Sequence, residues 1–269
     1  MRTYIALAAL VFTAGFAAPA HADHAWGGYH WARTANPFTL KVVDSVVPAW
    51  DGYLDTAIAD WAVSGVLDLS KENGTTGSND RRQCKPILGK IRVCSQTYGR
   101  NGWLGIASIW ASGNHITQAT TKVNDTYFGT ATYNTPAWKQ MVMCQEIGHD
   151  FGLDHQDEIF SNANLDTCMD YTSAPASNQH PNAHDYEELD LIYAHLDTMT
   201  TVAASTVRMA PANADEEVTD DPETWGRETH RSADGRSSQY ERTLQNGTKV
   251  ITHVLWADDA RGRGSRGER

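Results

Sequence analysis

The chain has 269 residues and a formal charge of −11, from 22 basic and 33 acidic side chains. This length is enough for one domain with a hydrophobic core and a smaller appendage. The acidic balance argues against nucleic acid and anionic membranes as main partners.

Residues 1–22 have the pattern of an export signal. Arg2 precedes the apolar run "YIALAALVFTAGFAA", and "AHA" at 20–22 is a small-residue cleavage site. The run is shorter than the ~20 apolar residues that a membrane-spanning helix needs. We therefore expect cleavage before Asp23, a secreted protein, and no membrane association after cleavage.

The cysteines predict disulfides. The chain has 4 cysteines, and an even number in an exported protein favours two bridges with three possible pairings. Cys84 and Cys94 bracket the short loop "CKPILGKIRVC", which favours a bond between them. Cys144 and Cys168 would then pair with each other. A zinc site built from these thiols is the competing interpretation, but no C-x-x-C spacing supports it.

The first part of the chain alternates between strand and helix patterns. Residues 38–44 alternate apolar and polar side chains, as a half-buried strand does. Residues 50–61 repeat apolar side chains at helical spacing. Further strands are predicted over 65–70, 90–96, 102–111 and 115–125, with a polar loop over 71–83.

A helix is predicted to begin at Pro136. Thr135 is a suitable N-cap and proline suits the first helical position. Gln145 and His149 lie one turn apart on this helix and share a face. Gly152 can adopt the left-handed conformation that ends a helix. The chain can then turn and bring His155 back towards His149.

The rest of the chain contains a second helix and an appendage. "NAHDYEELDLIYAHLD" repeats apolar residues at helical spacing and predicts a helix of the core. Residues 201–237 are predicted to be an acidic, polar linker. Residues 238–257 predict a hairpin around the Asn246-Gly247 turn, which must pack on something because an isolated hairpin is only marginally stable. Residues 258–269 are expected to be a basic, disordered tail.

The stretch "MCQEIGHDFGLDHQDE" carries the chemistry. It matches the zinc protease pattern H-E-x-x-H-x-x-G-x-x-H except that Gln145 replaces the first histidine. A catalytic zinc takes three protein ligands and keeps one position for water, whose pKa it lowers. Glu146 occupies the position of the general base that accepts the proton of that water. The expected metal residues are Gln145, His149 and His155.

These residues resemble the metzincins, a clan of zinc endopeptidases that includes astacins, serralysins and matrixins. "TCMDYT" at 167–172 resembles their methionine turn, with Met169 beneath the metal. Tyr171 follows two residues later, where the tyrosine of astacins and serralysins ligates zinc or stabilises the transition state. The resemblance covers roughly residues 36–200 and places residues 23–200 in one catalytic domain. It also supports the Cys144–Cys168 bond.

The resemblance implies an α+β fold. It implies a twisted, mostly parallel sheet of about five strands, an active-site helix and a C-terminal helix, to which the predicted hairpin adds an extension. Metzincins bind substrate as an added strand at the edge of the sheet, and "GWLGIASIWA" at 102–111 is the candidate for that edge. The expected protein is a secreted, monomeric zinc endopeptidase that acts on peptides or proteins.

Gln145 departs from the family pattern and leaves three interpretations. In the first, its amide oxygen binds zinc more weakly than an imidazole would. In the second, another group such as Tyr171 or a second water completes the site, with His115, His180 and His184 as more remote candidates. In the third, the protein is a catalytically inactive, secreted binding protein. Residues 23–36 are too short for a folded prodomain, so latency would depend on another part, such as the C-terminal hairpin.

Overall fold

The computed structural model describes residues 24–202 and 218–258. The predicted export signal lies outside these residues, as does the predicted basic tail from residue 259 onwards. Within the two described ranges, no helix is long and apolar enough to cross a membrane.

The described chain has a mixed α+β fold built on one sheet. Its strands are β1 (His30–Trp31), β2 (Phe38–Ser45), β3 (Leu67–Asn73), β4 (Lys90–Gln96), β5 (Trp103–Ser112), β6 (His115–Asn124), β7 (Arg227–Arg231), β8 (Ser237–Thr243) and β9 (Lys249–Trp256). They are arranged in the order β3-β2-β4-β6-β5-β9-β8-β7, and β1 pairs with β6 outside this path.

The sheet has a parallel half and an antiparallel half. Strands β3, β2, β4 and β6 pair in parallel. From β6 onwards, β5, β9, β8 and β7 pair antiparallel. The expected sheet of about five strands is therefore too small, because the C-terminal strands continue the same sheet.

The helices lie mainly where the sequence predicts them. They are α1 (Asp51–Trp61), α2 (Ser78–Gln83), α3 (Asp125–Phe128), α4 (Pro136–His149) and α5 (Ala183–Ile192). The prediction of a loop over 71–83 is wrong at both ends, because β3 continues to Asn73 and α2 begins at Ser78. Cys84 ends α2 in a left-handed conformation and bonds to Cys94.

The C-terminal hairpin is an integral part of the sheet. Its strands β8 and β9 join around the predicted Asn246-Gly247 turn, and β9 pairs with β5 over eight residue positions. The segment predicted as linker also contains ordered structure, namely a 3₁₀ turn at Pro222–Thr224 and the strand β7. The hairpin therefore lies against the rest of the domain rather than extending from it.

Strand β9 is buried on both faces. Ile251 and Leu255 join the core that also contains α4. Val250 and Val254 belong to a second core on the opposite face, together with Trp110 of β5. Because side chains alternate along a strand, His253 lies on the same face as Ile251 and Leu255, towards α4.

Strand β5 is not an edge of the sheet. It has β6 on one side and β9 on the other. The position at which a substrate strand was expected to add is therefore occupied by residues of this chain.

Two disulfides are present, Cys84–Cys94 and Cys144–Cys168. The second joins α4 to the turn that contains Met169. The indole nitrogen of Trp61 also donates to the carbonyl oxygen of Cys144 at 3.0 Å, which connects α1 to α4. These contacts fix α4 beneath the centre of the sheet.

Candidate metal centre

Helix α4 begins with the predicted cap. The side chain of Thr135 accepts a hydrogen bond from the backbone N–H of Trp138, and Pro136 is the first helical residue. The helix approaches β5 closely at Gly105, where a Cβ would lie 2.5 Å from Oε1 of Glu146. The absence of a side chain at Gly105 therefore allows Glu146 to lie directly against the sheet.

A turn at Gly152 brings the chain back after α4. Its φ is +96°, and its N–H donates to the carbonyl oxygen of His149 at 2.9 Å. A Cβ on Gly152 would lie 2.0 Å from the carbonyl oxygen of Tyr29. Glycine is required here both by the left-handed conformation and by this contact.

The two motif histidines lie together after this turn. The ring centroids of His149 and His155 are 4.5 Å apart, and both side chains are buried. Nδ1 of His149 donates to the carbonyl oxygen of Leu153 at 2.8 Å, and Nδ1 of His155 lies 3.2 Å from Oδ1 of Asp154. The hydrogen bond to Leu153 holds Nδ1 of His149 and leaves its Nε2 to bind a metal. Among the described residues, neither ring nitrogen of His155 has a hydrogen-bond partner.

Burial keeps both imidazoles neutral. It lowers the pKa of His155 to about 4 and the pKa of His149 well below its usual value. Neutral imidazole is the form that binds a metal ion. Both histidines are therefore available as ligands at neutral pH without further loss of protons.

Gln145 is fully buried and has a fixed orientation. Its Nε2 donates to the carbonyl oxygen of Cys168 at 2.9 Å. Because a carbonyl oxygen only accepts hydrogen bonds, this contact identifies the amide nitrogen and leaves Oε1 on the other side. Among the described residues, Oε1 has no hydrogen-bond partner.

Other buried polar atoms of the motif also lack a hydrogen-bond partner within the described ranges. They are Oε1 of Glu146, Nε2 of His149 and both ring nitrogens of His155. Leaving such an atom buried and unsatisfied costs about 1–3 kcal/mol. His149 and His155 each offer a ring nitrogen, and these nitrogens lie within 4.8 Å of each other, so a metal ion between them would satisfy both.

A third histidine completes the cluster. His253 of β9 offers a ring nitrogen within 4.8 Å of those of His149 and His155, and all three residues are buried. Its ring centroid lies 4.1 Å from that of His149 and 4.7 Å from that of His155. This residue is absent from the sequence-based list of candidates.

His253 also contacts both candidate catalytic residues. Its Nδ1 lies 3.2 Å from Oε2 of Glu146, and its Nε2 lies 2.9 Å from the hydroxyl of Tyr171. Burial raises the pKa of the Glu146 carboxyl and raises the pKa of Tyr171 well above its usual value. The Tyr171 hydroxyl therefore remains a hydrogen-bond donor.

Met169 packs against helix α4 at Gly148. A Cβ on Gly148 would lie 2.6 Å from its Sδ atom. Gly148 therefore makes room for the methionine, and the adjacent Cys144–Cys168 bond holds the turn against α4.

The more remote histidine candidates do not join this cluster. His115 pairs with Asp197 at 3.1 Å and His180 with Asp60 at 2.7 Å. The ring of His184 lies against His24, with centroids 4.9 Å apart. Each of these three histidines therefore has its partner outside the cluster.

In the described parts of the chain, two further groups of side chains could hold a metal ion. His30, His195 and Asp197 form one, but Asp197 already pairs with Arg33 at 3.0 Å. Asp154, His155 and Glu158 form the other and share His155 with the central cluster. The three-histidine cluster is the most deeply buried of these groups.

Comparisons with known proteins give little further information. No protein-family model matches the chain. No curated protein matches it either. A solved structure entitled "Structure of myroilysin" aligns with a TM-score of 0.37 and 12% identity, over 64% of this chain and 98% of that one. A likeness at this level supports no conclusion about fold or activity.

Proposed function

We propose that the protein is a secreted, monomeric zinc peptidase with its metal at the end of helix α4. The observation that carries this proposal is the set of unsatisfied, buried polar atoms on Gln145, His149 and His155. They lie on the helix and turn of a zinc protease motif, beside a buried carboxylate. The residues that would hold the ion are His149, His155 and, more weakly, Gln145.

Zinc in such a site would supply a Lewis acid and lower the pKa of a bound water towards ~7. Glu146 would act as the general base, which accepts a proton and passes it to the leaving amine. The buried Tyr171 hydroxyl is a donor suited to stabilise a developing negative charge on oxygen. His149 is oriented by the hydrogen bond from its Nδ1 to Leu153.

The substrate would reach this site from a side other than β5. A cavity of 480 Å³ is lined by the 158–161 loop, Ser173 and residues 233–234. Phe160 of its lining stacks on Tyr171 with centroids 4.6 Å apart, and Tyr171 lies 4.1 Å from His155. The rings of Phe160 and Tyr171 therefore lie between the cavity and His155. A movement of Phe160 would bring the cavity closer to His155.

A second candidate function is a zinc-binding protein that does not cut peptides. The specific observation in its favour is that His253 contacts both Glu146 and Tyr171 while β9 covers β5. In this case the metal would stabilise the fold or hold a partner.

Zinc content and peptide cleavage distinguish these functions. Under the first proposal, we expect one zinc ion per chain, cleavage of casein or an unstructured peptide, and loss of cleavage with a chelator that zinc restores. One zinc ion without cleavage supports the second function. Purified protein that binds no zinc, even after incubation with the ion, contradicts both.

The place of Gln145 in the site gives a separate prediction. We expect Gln145→Ala to weaken zinc binding, because an oxygen donor is lost, on the order of 10–100-fold. Gln145→His should tighten binding, since imidazole is a stronger donor and its Nδ1–H can donate to the Cys168 carbonyl. The measurement is zinc affinity in competition with a chromophoric chelator.

Gln140 offers the matched control for this experiment. It is a buried glutamine on the same helix but outside the motif. Gln140→Ala should leave zinc affinity unchanged while removing a similar volume from α4. Equal zinc affinity of Gln145→Ala and the wild type would show that Gln145 is not a ligand.

A further inference from the structure

Strand β9 is a permanent part of the domain. Val250, Ile251, Val254 and Leu255 are each at most 1% exposed. Detaching β9 would expose all four of these aliphatic side chains to water and break its pairing with β5 and β8. The strand is therefore held from both faces and along both edges.

The stable pairing of β9 decides between two roles for His253. If β9 could detach, His253 could block the metal site and leave it when the strand moved away. His253 instead stays between Ile251 and Leu255, on the face of β9 that packs towards α4. Its neighbours across the strand pair are fixed as well, because β9 pairs with β5 in register through Ala107.

The contacts of His253 orient it as a metal ligand. Its Nδ1 lies 3.2 Å from the Glu146 carboxylate, which is a suitable acceptor for an Nδ1–H. In that tautomer the lone pair of Nε2 accepts a hydrogen bond from the Tyr171 hydroxyl at 2.9 Å, and a metal ion would take the place of that hydroxyl proton. A carboxylate behind an imidazole is a common way to orient a histidine ligand and to raise its basicity.

We propose that His253 is a resident ligand of the metal ion held by His149 and His155. The strand β9 thereby supplies the third imidazole that the motif lacks at position 145. This proposal rests on the proposed function, because it needs the same metal ion. His253 would make the C-terminal strand β9 part of the metal centre.

The test measures the metal directly and does not depend on activity. We expect His253→Ala to raise the zinc dissociation constant at least 100-fold, since loss of even an outer-shell partner costs 10–100-fold. The visible absorption of the Co²⁺-loaded protein should also change, because the ligand set of the ion changes. His149→Ala is the positive control for loss of a ligand.

Two variants test whether a loss of zinc affinity comes from the missing imidazole or from a general disturbance of β9. Thr252→Val removes a buried hydroxyl that contacts Ser108 on the opposite face of β9, and it should leave zinc affinity unchanged. His253→Gln keeps hydrogen-bonding groups of similar reach for Glu146 and Tyr171. It should fold even if His253→Ala does not, and still bind zinc more weakly than the wild type.

The outcomes separate this proposal from the proposed function. If the wild type binds no zinc, the proposed function fails. If the wild type binds zinc and His253→Ala and His253→Gln bind it equally well, His253 is not a ligand and the proposed function stands. If His253→Ala keeps its zinc and gains peptide cleavage, His253 blocks the site, and the ligand assignment is overturned.

Discussion

Glu146→Gln should lower peptide cleavage by at least about 100-fold, the usual contribution of a general base. The substitution keeps the shape of the side chain. It removes the negative charge and the ability to accept a proton. Glu146 is fully buried and lies 3.2 Å from His253, so the amide should fit without rearrangement. Cleavage is measured with zinc in excess, because loss of the carboxylate that faces Nδ1 of His253 should also weaken zinc binding, by about 10–100-fold. The melting temperature should stay close to that of the wild type.

Asp150→Asn is the matched control for this prediction. Asp150 is a buried carboxyl just beyond the end of α4, and its Oδ2 accepts a hydrogen bond from Thr121 at 2.8 Å. Burial raises the pKa of this carboxyl well above its usual value. Asp150→Asn should therefore leave cleavage largely intact. Equal cleavage by Glu146→Gln and the wild type would remove Glu146 from the mechanism.

Gly152→Ala should lower the free energy of unfolding by about 2–5 kcal/mol. A left-handed conformation costs an L-residue about 1–2 kcal/mol, and forcing an atom into a filled space costs about 1–3 kcal/mol. Both costs apply, since φ is +96° and the new Cβ would lie 2.0 Å from the Tyr29 carbonyl oxygen. Urea denaturation of the metal-free protein measures the change without a contribution from metal binding.

Gly99→Ala is the control that measures the cost of the left-handed conformation without the cost of the steric contact. Its φ is +100°, and a Cβ there would meet no atom within 4 Å. Gly99→Ala should therefore lose only about 1–2 kcal/mol, the cost of the conformation. Equal losses for the two variants would show that the contact at Tyr29 contributes nothing.

The helix and turn of the metal centre could be predicted because they depend on local sequence. Thr135 and Pro136 define the start of α4, and Gly152 defines the turn that follows it. The spacing between Gln145, His149 and His155 then places these residues together. None of these relationships requires knowledge of a distant part of the chain.

His253 could not be placed in the same way. It lies 107 residues from Glu146, and only the pairing of β9 with β5 brings the two together. One signal was present in "VITHVLW", where a histidine lies between Ile251 and Leu255 on one face of a strand. A polar residue on an otherwise apolar face indicates either a buried hydrogen bond or a site.

The size of the sheet was underestimated for a different reason. The acidic run before Pro222 has the composition of a linker, and the residues of β7 are all exposed. Exposed, polar strands lack the apolar alternation that identifies a strand in sequence. Only the pairing of β7 with β8 makes this segment part of the sheet.

The central position of β9 has a consequence for how the protein folds. Until β9 arrives, β5 pairs only with β6 and forms an edge of the sheet. It carries apolar side chains such as Ile106 and Trp110, and an apolar edge strand promotes association between chains. Contacts between segments so distant in sequence form slowly, because a long loop must close first. The interval before β9 docks is therefore the stage at which newly made chains are most exposed to aggregation, and the cluster of three histidines forms only when that interval ends.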